Sequence, residues 1–258
     1  MPPLALVTGA SSGIGRELAR IHAEKGGDLI VTARREDRLS ELKKELETAH
    51  GVTVHVIAMD ISGEDGARAL YAAIQDRGLS PDILINNAGN GGQGKFIERE
   101  LELDLFMVDL NIKTMVTLCH LIGADMVRRG SGRILNLGST AGFIPGPKQA
   151  TYFASKAFVN SFTMALDQEM RPKGVTCTVL APGYVETEFA DRADMHGTTM
   201  VKMGGNNPRD VATKGYDAMM KGQLVKIDKA ALAFGLRFAV PFLPRRMLLK
   251  ISERSQSK

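Results

Sequence analysis

The chain has 258 residues, of which 44% are hydrophobic and 24% charged, and its formal net charge at pH 7 is +4. This composition is ordinary for a globular protein and suits one large domain or two small ones. The charge is too modest for the dense basic stripe of a nucleic-acid-binding protein, so we expect no nucleic-acid partner.

The cysteines, the histidines and the N-terminal segment argue against a disulfide-stabilised, a metal-binding and a secreted protein, respectively. Cys119 and Cys177 lie far apart in apolar segments, so we expect buried free thiols and no disulfide framework. The five histidines show no ligand spacing, and no metal site is expected. The N-terminal MPPLALVTG reads as a strand and a turn and lacks the basic region and cleavage site of a signal peptide, so a cytoplasmic location is predicted.

Short apolar runs alternate with stretches of helical periodicity. Strands are predicted at Leu4–Thr8, Asp28–Ala33, Thr53–Met59, Ile83–Asn86, Arg133–Gly138 and Val175–Leu180. Helices are predicted at Gly15–Lys25, Arg38–Ala49, Gly63–Arg77, Leu103–Arg128 and Tyr152–Met170. This alternation predicts an α/β fold, a single doubly wound Rossmann-type domain over residues 1–258, with a central parallel sheet and helices on both faces. Its ligand site should lie beyond the carboxyl ends of the strands.

The segment TGASSGIG, Thr8–Gly15, joins the first strand to the first helix. Glycine is a poor helix former, so three glycines at the start of a helix need a reason. Unpaired helix amides and the helix dipole attract an anion there, and glycines allow the ligand to approach closely. We therefore predict a phosphate-binding turn, although a plain strand-to-helix turn would also explain this segment alone.

The end of the second strand predicts which nucleotide is bound. In a dinucleotide site an acid there usually binds the ribose 2′-hydroxyl, but this strand ends Thr32-Ala33-Arg34-Arg35. A guanidinium can hold a 2′-phosphate, which a carboxylate would repel. We expect NADP(H) to be preferred over NAD(H), with Arg34 the stronger candidate and Arg35 facing solvent. Both arginines could also simply begin the polar face of the next helix.

Tyr152 and Lys156 are spaced i and i+4 and should project from one helix face. Tyrosine ionises near pH 10, so a role as acid or base near neutrality needs a cation that favours the phenolate. Lys156, together with an oxidised nicotinamide, could lower that pKa. Taken alone, an incidental Tyr/Lys pair on an amphipathic helix would be the simpler explanation.

Other polar or turn-forming segments fall at the same predicted edge of the sheet. Ser139 follows the fifth strand, Asn87-Ala88-Gly89 follows the fourth, and Pro182-Gly183 follows the sixth. Asn111 occupies a helix interior, where asparagine is unfavourable unless it has a polar task.

Together these motifs resemble the short-chain dehydrogenase/reductase family. TGASSGIG, NNAG, Asn111, Ser139, YFASK and the PG pair occur in the family's order and spacing over roughly residues 4 to 190. The resemblance implies a catalytic role for Tyr152 as general acid/base and for Lys156, which lowers the tyrosine pKa and holds the nicotinamide ribose. It further implies that Ser139 orients the carbonyl and that Asn111 positions a water in a proton relay.

The resemblance also implies the cofactor-binding residues. The nucleotide-binding turn comprises Gly9, Ser11, Ser12, Gly13, Ile14 and Gly15. Asp60 and Ile61 match the pair that contacts adenine, and Asn87, Ala88 and Gly89 lie along the ribose. The nicotinamide face is lined by Pro182, Gly183, Val185 and Thr187.

The C-terminal part contains two further segments: the family's variable loop and an extension that departs from the commonest family pattern. Residues 184–208 correspond to the substrate loop and carry Phe189, Met195, His196, Met200 and Met203; His196 most simply reads as a solvent-exposed loop residue. The apolar and basic extension at 229–258 resembles ketoacyl-reductase-like and hydroxysteroid-dehydrogenase-like members. It could cover the pocket, form a subunit interface or contact a membrane peripherally, and the first two are favoured.

The function predicted from the sequence is an NADP(H)-dependent short-chain dehydrogenase/reductase (EC 1.1.1.-) acting on a carbonyl or secondary alcohol. Its small-molecule substrate is expected to be a ketone, an aldehyde or a 3-oxoacyl compound. The alternative of another class is a non-catalytic NADP-binding regulator. The family resemblance also implies a homodimer or homotetramer.

Overall fold

The computed structural model describes residues 3–202 and 204–257, with the side chain of Met200 also left out. Its strands are β1 (Leu4–Thr8), β2 (Asp28–Ala33), β3 (Val54–Ala58), β4 (Ile83–Asn86), β5 (Gly132–Leu137), β6 (Val175–Ala181) and β7 (Val225–Ile227). They form one sheet of parallel pairs in the order β3-β2-β1-β4-β5-β6-β7. The predicted fold class is confirmed.

Helices connect the strands and cover the sheet. The first six are α1 (Gly13–Glu24), α2 (Glu36–His50), α3 (Gly63–Gln75), α4 (Leu101–Val108), α5 (Thr114–Arg129) and α6 (Ala150–Met170). The later ones are α7 (Phe189–Arg192), α8 (Thr199–Lys202), α9 (Pro208–Met220), α10 (Ala230–Phe234) and α11 (Arg245–Ser255).

Each central strand is apolar on both faces because a layer of helices covers each face. In β1, Ala5 and Val7 pack into a core with α1, α2 and α9, whereas Leu6 packs into a second core with α3, α5 and α6. All three side chains are fully buried. This explains why the strands read as continuous apolar runs rather than as alternating patterns.

The strand order reverses direction between β1 and β4, which are adjacent in the sheet. The strands β2 and β3 continue the sheet beyond β1, whereas β5, β6 and β7 continue it beyond β4. Connections that leave β1 and β4 therefore diverge and open a crevice beyond their carboxyl ends, where α/β sheets bind ligands. The glycine-rich turn after β1 and the NNAG segment after β4 both face this crevice.

The structure differs from the sequence-based prediction in several details. Residues 184–225, which the sequence predicts as loop and helix, contain the helix α9, with Asn207 as its N-cap and Pro208 at its first position, and the short strand β7, which was not predicted, follows it. The helices α1, α2 and α6 begin two residues earlier than predicted. The predicted helix at 103–128 is interrupted by a π-helical segment, Asp109–Lys113, that links α4 to α5. The predicted strand ends shift by one residue at β3, β5 and β6.

By length and composition, one described helical stretch, Leu101–Arg129, could cross a membrane. In the fold it spans α4, the π-helical segment and α5, and it packs on α3 and α6. Met107, Leu118 and Ile122 of this stretch are buried in the described structure.

Candidate active site

A cavity of about 440 Å³ opens at the carboxyl edge of the sheet. It is bounded by the turns after β1, β2, β3, β4, β5 and β6, by the start of α6, and by residues of the C-terminal extension. The sequence-predicted site residues line it, apart from Gly15 and Asn111, which lie beneath it. The structure thus brings residues that are far apart in the chain into one site.

The glycine-rich turn packs against the segment that follows β4. Gly9 has a φ of +68°, which favours glycine, and a Cβ there would meet the Asn87 side chain at 2.8 Å. Asn87 Nδ2 donates to the backbone oxygen of Thr8 at 2.9 Å, and the amides of Asn87 and Ala88 both donate to Thr8 Oγ1 at 3.0 Å. The glycines therefore let two strand ends approach closely, and they leave the first turn of α1 facing the cavity through Gly13 and Ile14.

The predicted solvent exposure of Arg35 is wrong. Arg35, rather than facing solvent, is half-buried and donates through Nη2 to Ser11 Oγ at 3.2 Å and to Glu188 at 2.8 Å. Arg34 is the exposed member of the pair, although it also lines the cavity. Arg35 turns inward because the substrate loop supplies Glu188, which the local sequence around β2 could not reveal.

Glu188 is surrounded by basic side chains. Its carboxylate lies 2.8 Å from Arg35, 3.4 Å from Arg38 and 3.6 Å from Arg192. Arg192 also donates to Ser12 Oγ at 3.1 Å. The bond to Ser12 places Arg192 beside the glycine-rich turn, and burial together with the nearby Arg35 and Arg34 lowers the pKa of Arg192. The sequence analysis missed Glu188, Arg38 and Arg192 as members of this site.

Asp60 and Ile61 follow β3 at the other side of the same crevice. Ile61 is buried and Asp60 is exposed, with its Oδ1 accepting a hydrogen bond from the Ser62 amide at 2.9 Å. Both line the cavity beside Arg34 and Arg35.

Tyr152 lies near the base of the cavity, within reach of Ser139. Its ring is 5.4 Å from that of Phe189, a residue of the substrate loop. Burial raises the pKa of Tyr152 to about 12, and the nearby Ser139 hydroxyl acts in the opposite direction. The expected lowering by Lys156 is therefore not present in the protein without cofactor, because desolvation of the phenolate outweighs the other effects.

Lys156 lies one turn after Tyr152, with Nζ 5.9 Å from the tyrosine ring centre. Nζ donates to the backbone oxygen of Leu137 at 2.7 Å, and the residue is 5% exposed. Burial lowers the pKa of Lys156 to about 8. The lysine is thus held in place by the end of β5, and its charge is costly to bury.

This cost predicts how stability depends on pH. Lys156 loses its proton near pH 8 in the folded protein and near pH 10.5 in the unfolded chain, so the penalty is full below pH 8 and fades as the pH rises to about 10.5. Lys156→Met removes the penalty at all pH values. We expect the Tm of this variant minus that of the original protein to fall between pH 7 and pH 10. Differential scanning calorimetry measures it, and a difference that stays constant with pH would contradict the argument.

Asn111 lies in the π-helical segment below the cavity and is buried. Its Oδ1 accepts from the Asn90 amide at 2.8 Å, and its Nδ2 donates to the Asn90 carbonyl at 2.9 Å and to Ser155 Oγ at 3.0 Å. A Cβ on Gly89 would lie 3.2 Å from Asn111 Oδ1 and 3.7 Å from Lys156 Nζ. The widened helical turn thus brings Asn111 close to the lysine; π-bulges are frequent at functional sites.

The substrate loop closes over this arrangement. Thr187 packs against Gly13, whose added Cβ would lie 3.0 Å from Thr187 Cγ2, and Val185 pairs with Asn206. Pro182 accepts hydrogen bonds from Thr140, and Gly183 donates to Asp228.

The loop's remaining predicted residues have different positions. Phe189 and Met195 line the cavity. His196 is exposed and lies against Asp191, as its sequence context suggested. Met203 and the side chain of Met200 lie outside the described residues.

The residues present fit a dinucleotide. A helix N-terminus, the Ser11 and Ser12 hydroxyls and several guanidiniums provide donors for phosphate oxygens. Three arginines share one carboxylate, Glu188, and a fourth arginine lines the cavity beside them, so the cluster retains positive charge that a further anion would neutralise. The cluster comprises Arg34, Arg35, Arg38 and Arg192.

Known proteins resemble this chain over most of its length. The family profile described as short chain dehydrogenase matches residues 3–196. Sulfoacetaldehyde reductase 2 of Chromohalobacter salexigens is 37% identical over 211 residues, which cover 80% of this chain and 78% of the relative. A putative ketoacyl reductase of Streptomyces coelicolor is 40% identical over 195 residues, covering 75% and 74%.

A solved structure adds the three-dimensional comparison. A short-chain dehydrogenase from Sphingobium yanoikuyae in complex with NADPH superimposes with a TM-score of 0.82 at 28% identity, covering 94% of this chain and 97% of that one. The profile match covers both the glycine-rich turn and the Tyr152–Lys156 pair. This chain belongs to the short-chain dehydrogenase/reductase family of oxidoreductases.

Proposed function

We propose that the protein is an NADP(H)-dependent oxidoreductase that interconverts a carbonyl compound and the corresponding alcohol. The observation that carries this proposal is the shared cavity: the glycine-rich turn and the Ser139, Tyr152 and Lys156 side chains all line it. The names of the relatives, a sulfoacetaldehyde reductase and a ketoacyl reductase, support reduction of an aldehyde or ketone.

Each side chain has a chemical task in this proposal. Ser139 donates a hydrogen bond to the substrate carbonyl oxygen and polarises it. Tyr152 gives its proton to the same oxygen during reduction and takes it back during oxidation. Lys156 holds a positive charge below the phenol and hydrogen-bonds the ribose. Asn111 keeps the Gly89–Asn90 backbone and the Ser155 side chain in place beside the lysine.

The cofactor changes the electrostatics of this group when it binds. The nicotinamide supplies or accepts the hydride. Because burial outweighs the effect of Ser139 and raises the pKa of Tyr152 to about 12, the phenol is protonated near neutral pH in the free protein and can donate a proton. Oxidation of an alcohol needs the phenolate, so the Lys156 charge and the oxidised cofactor must together offset this burial.

The preference for NADP(H) follows from the arginine cluster. A 2′-phosphate at the end of β2 would lie between Arg34 and Arg35, and the surplus positive charge around Glu188 favours a dianion there. The turn residues and helix α1 would hold the pyrophosphate, and Asp60 and Ile61 the adenine.

Arg35 should contribute most of the discrimination, because its guanidinium is already oriented by Ser11. Arg35→Ala is expected to raise the Kd for NADPH by about tenfold or more, since a charge-assisted hydrogen bond is lost, and to change the Kd for NADH by about twofold at most. Arg34→Asp should also weaken NADPH more than NADH. Isothermal titration calorimetry with both nucleotides measures these values.

The matched control is Arg68→Ala, which removes an exposed arginine that pairs with Glu64 on α3, outside the cavity lining. It should leave both affinities unchanged. Equal weakening of NADPH and NADH by Arg35→Ala would overturn the 2′-phosphate assignment.

The direct test of the function follows absorbance at 340 nm with NADPH, and separately NADH, against ketones, aldehydes and 3-oxoacyl thioesters. Turnover of at least one class with NADPH is expected. A protein that binds NADPH tightly but turns over no member of this panel would favour a regulator over an enzyme. The presence of Asn111, Ser139, Tyr152 and Lys156 together opposes that alternative.

The remaining assignments are proposals of the same kind. Residues 1–258 are taken as one domain, with residues 229–258 as a cover over the pocket, because Leu232, Leu236, Ser255 and Gln256 line it. The homodimer or homotetramer and the cytoplasmic location stay predictions.

A further inference from the structure

The end of the C-terminal extension enters the cavity. α10 and the π-helical segment after it, Gly235–Ala239, contribute Leu232 and Leu236 to the lining, and the end of α11 contributes Ser255 and Gln256. Gln256 is 1% exposed, and specific contacts hold it there.

These contacts form what we call the amide cluster: Gln93, Gln149 and Gln256. Gln149 Nε2 donates to Gln256 Oε1 at 2.6 Å and to Gln93 Oε1 at 3.0 Å, and Gln93 donates to the backbone oxygen of Gln256. Lys148 Nζ donates to Ser257 Oγ at 2.8 Å and holds the neighbouring residue. Three segments far apart in the chain thus meet through amide side chains.

The cluster keeps hydrogen-bonding capacity for a ligand. Within residues 3–202 and 204–257, Gln149 Oε1 accepts no hydrogen bond, and Gln256 Nε2 makes one long bond, 3.4 Å, to Ser255 Oγ. Both glutamines line the cavity. A primary amide offers two donors and an acceptor oxygen, so a carbonyl oxygen and an amide hydrogen stay available there. A hydroxyl group can use both, because it donates and accepts.

The cluster lies close to the reacting centre. Gln149 is the N-cap of α6 and precedes Tyr152 by three residues, about one helical turn. A ligand whose carbonyl oxygen contacts Tyr152 would therefore place a group only a few bonds away near the Gln149 amide.

The charged residues that line the cavity do not belong to the amide cluster. Among the described lining residues they are Arg34, Arg35, Asp60, Lys156 and Arg192. Arg35 and Arg192 contact Glu188, Arg34 follows β2, Asp60 follows β3, and Lys156 donates to the Leu137 backbone oxygen. The lining also contains the apolar side chains Phe153, Phe189, Met195, Leu232 and Leu236. Two cations border the cluster, but neither lines the cavity: Lys148 bonds Ser257, and Arg99, paired with Asp104, bonds the backbone oxygen of Gln93. An anionic group in the cavity beside the two glutamines would therefore be desolvated without a cation of the lining next to it, which is unfavourable.

We propose that the amide cluster selects carbonyl substrates that carry a neutral hydroxyl group a few bonds from the carbonyl, over those with an alkyl group or an anionic group at that place. This inference rests on the proposed function and deepens it. It also separates this protein from its sulfoacetaldehyde reductase relative, whose named substrate carries a sulfonate.

Three small ketones test the proposal with the full-length protein: 4-hydroxy-2-butanone, 2-pentanone and acetoacetate. They share a methyl ketone and differ at the other end by a hydroxyl, a methyl and a carboxylate. We expect kcat/KM with NADPH to be about tenfold or more higher for the hydroxyketone than for either of the others, because an unfilled hydrogen-bonding site disfavours analogues that lack the group. Equal values, or a preference for 2-pentanone or acetoacetate, overturn the proposal.

Isosteric variants assign the effect to the cluster. Gln149→Met and Gln256→Met keep side-chain size, and each should raise KM for the hydroxyketone and reduce the preference over 2-pentanone to about twofold or less. Gln223→Met, an exposed glutamine outside the lining, is the control and should preserve the preference. Circular dichroism shows whether each variant is folded, and if one is not, the other variant provides the test. A folded variant that keeps the preference for 4-hydroxy-2-butanone over 2-pentanone overturns the assignment to the amide cluster.

Binding separates this inference from the proposed function. Saturation-transfer NMR with the protein in NADP⁺ measures the affinity of the three ketones without turnover. Preferential binding of the hydroxyketone without reduction of any ketone would support the amide cluster and argue against the reductase. Equal binding, or no binding, of the three would overturn the cluster's role whatever the activity.

Discussion

Tyr152→Phe is expected to lower kcat/KM for carbonyl reduction by about a thousandfold, while the Kd for NADPH changes by about threefold or less. The variant removes one hydroxyl group, and a positioned general acid contributes about a hundredfold to ten-thousandfold. A thousandfold loss corresponds to about 4 kcal/mol of transition-state stabilisation. The hydroxyl is the proton source in the proposed reaction, whereas the ring keeps its contact with Phe189. Absorbance at 340 nm gives the rates, and NADPH fluorescence gives the Kd.

Tyr71→Phe is the matched control for this variant. Its hydroxyl donates to Asp125 Oδ2 at 2.9 Å between α3 and α5, outside the cavity lining. It should cost some stability and leave kcat/KM unchanged. If Tyr152→Phe kept a tenth or more of the original activity, another group would have to supply the proton, and the assignment of Tyr152 would be wrong.

The central elements of the fold could be predicted because local patterns determine them. The bounds predicted for the strands β1, β2 and β4 agree with those in the structure, since each is a short apolar run ended by a turn. The strand β7 was missed because three half-buried residues, Val225–Ile227, give no pattern long enough to recognise. The helix α9 had a usable signal in Asn207-Pro208, an N-cap followed by proline at the first helical position.

The site was predicted less completely because part of it depends on contacts across the chain. The turn, Tyr152 and Lys156 belong to local motifs, and all three lie at the cavity. Glu188 and Arg35 are 153 positions apart in the chain, and Gln256 and Gln149 are 107 positions apart. The local sequence pattern around each residue therefore does not predict these contacts. For the same reason the sequence assigned solvent exposure to Arg35 instead of Arg34.

The tyrosine pKa shows a different limit. The i, i+4 spacing places Lys156 on the same helix face as Tyr152, but a pKa depends on burial as well as on neighbouring charge. The pocket that buries Tyr152 also buries Lys156, so burial shifts the pKa of each group toward its neutral form, to about 12 and about 8. In the protein without cofactor, Tyr152 is therefore suited to donate a proton, and we expect its action as a base to depend on the bound cofactor.

Gly15→Ala should abolish tight coenzyme binding and also lower stability. Gly15 is buried at the start of α1, where an added Cβ would meet the Asn87 side chain and would lie 2.5 Å from the backbone oxygen of Gly9. The backbone oxygen cannot rotate away, so the turn must shift as a whole, at a cost of about 1–3 kcal/mol. The shift would move the helix amides and break the Asn87 contacts that shape the phosphate site. We expect the Kd for NADPH to rise by about a hundredfold and kcat/KM to fall with it.

Gly235→Ala separates this effect from a general intolerance of alanine. Gly235 lies at a helical position, and a Cβ there meets nothing within 4 Å, so the change should leave coenzyme binding intact. Because alanine lowers the conformational entropy of the unfolded chain, the Tm should stay the same or rise. Calorimetry of both variants with and without NADPH provides the comparison. If Gly15→Ala binds NADPH as tightly as Gly235→Ala does, the turn tolerates a side chain, and close packing against Gly9 and Asn87 does not explain why glycine stands at position 15.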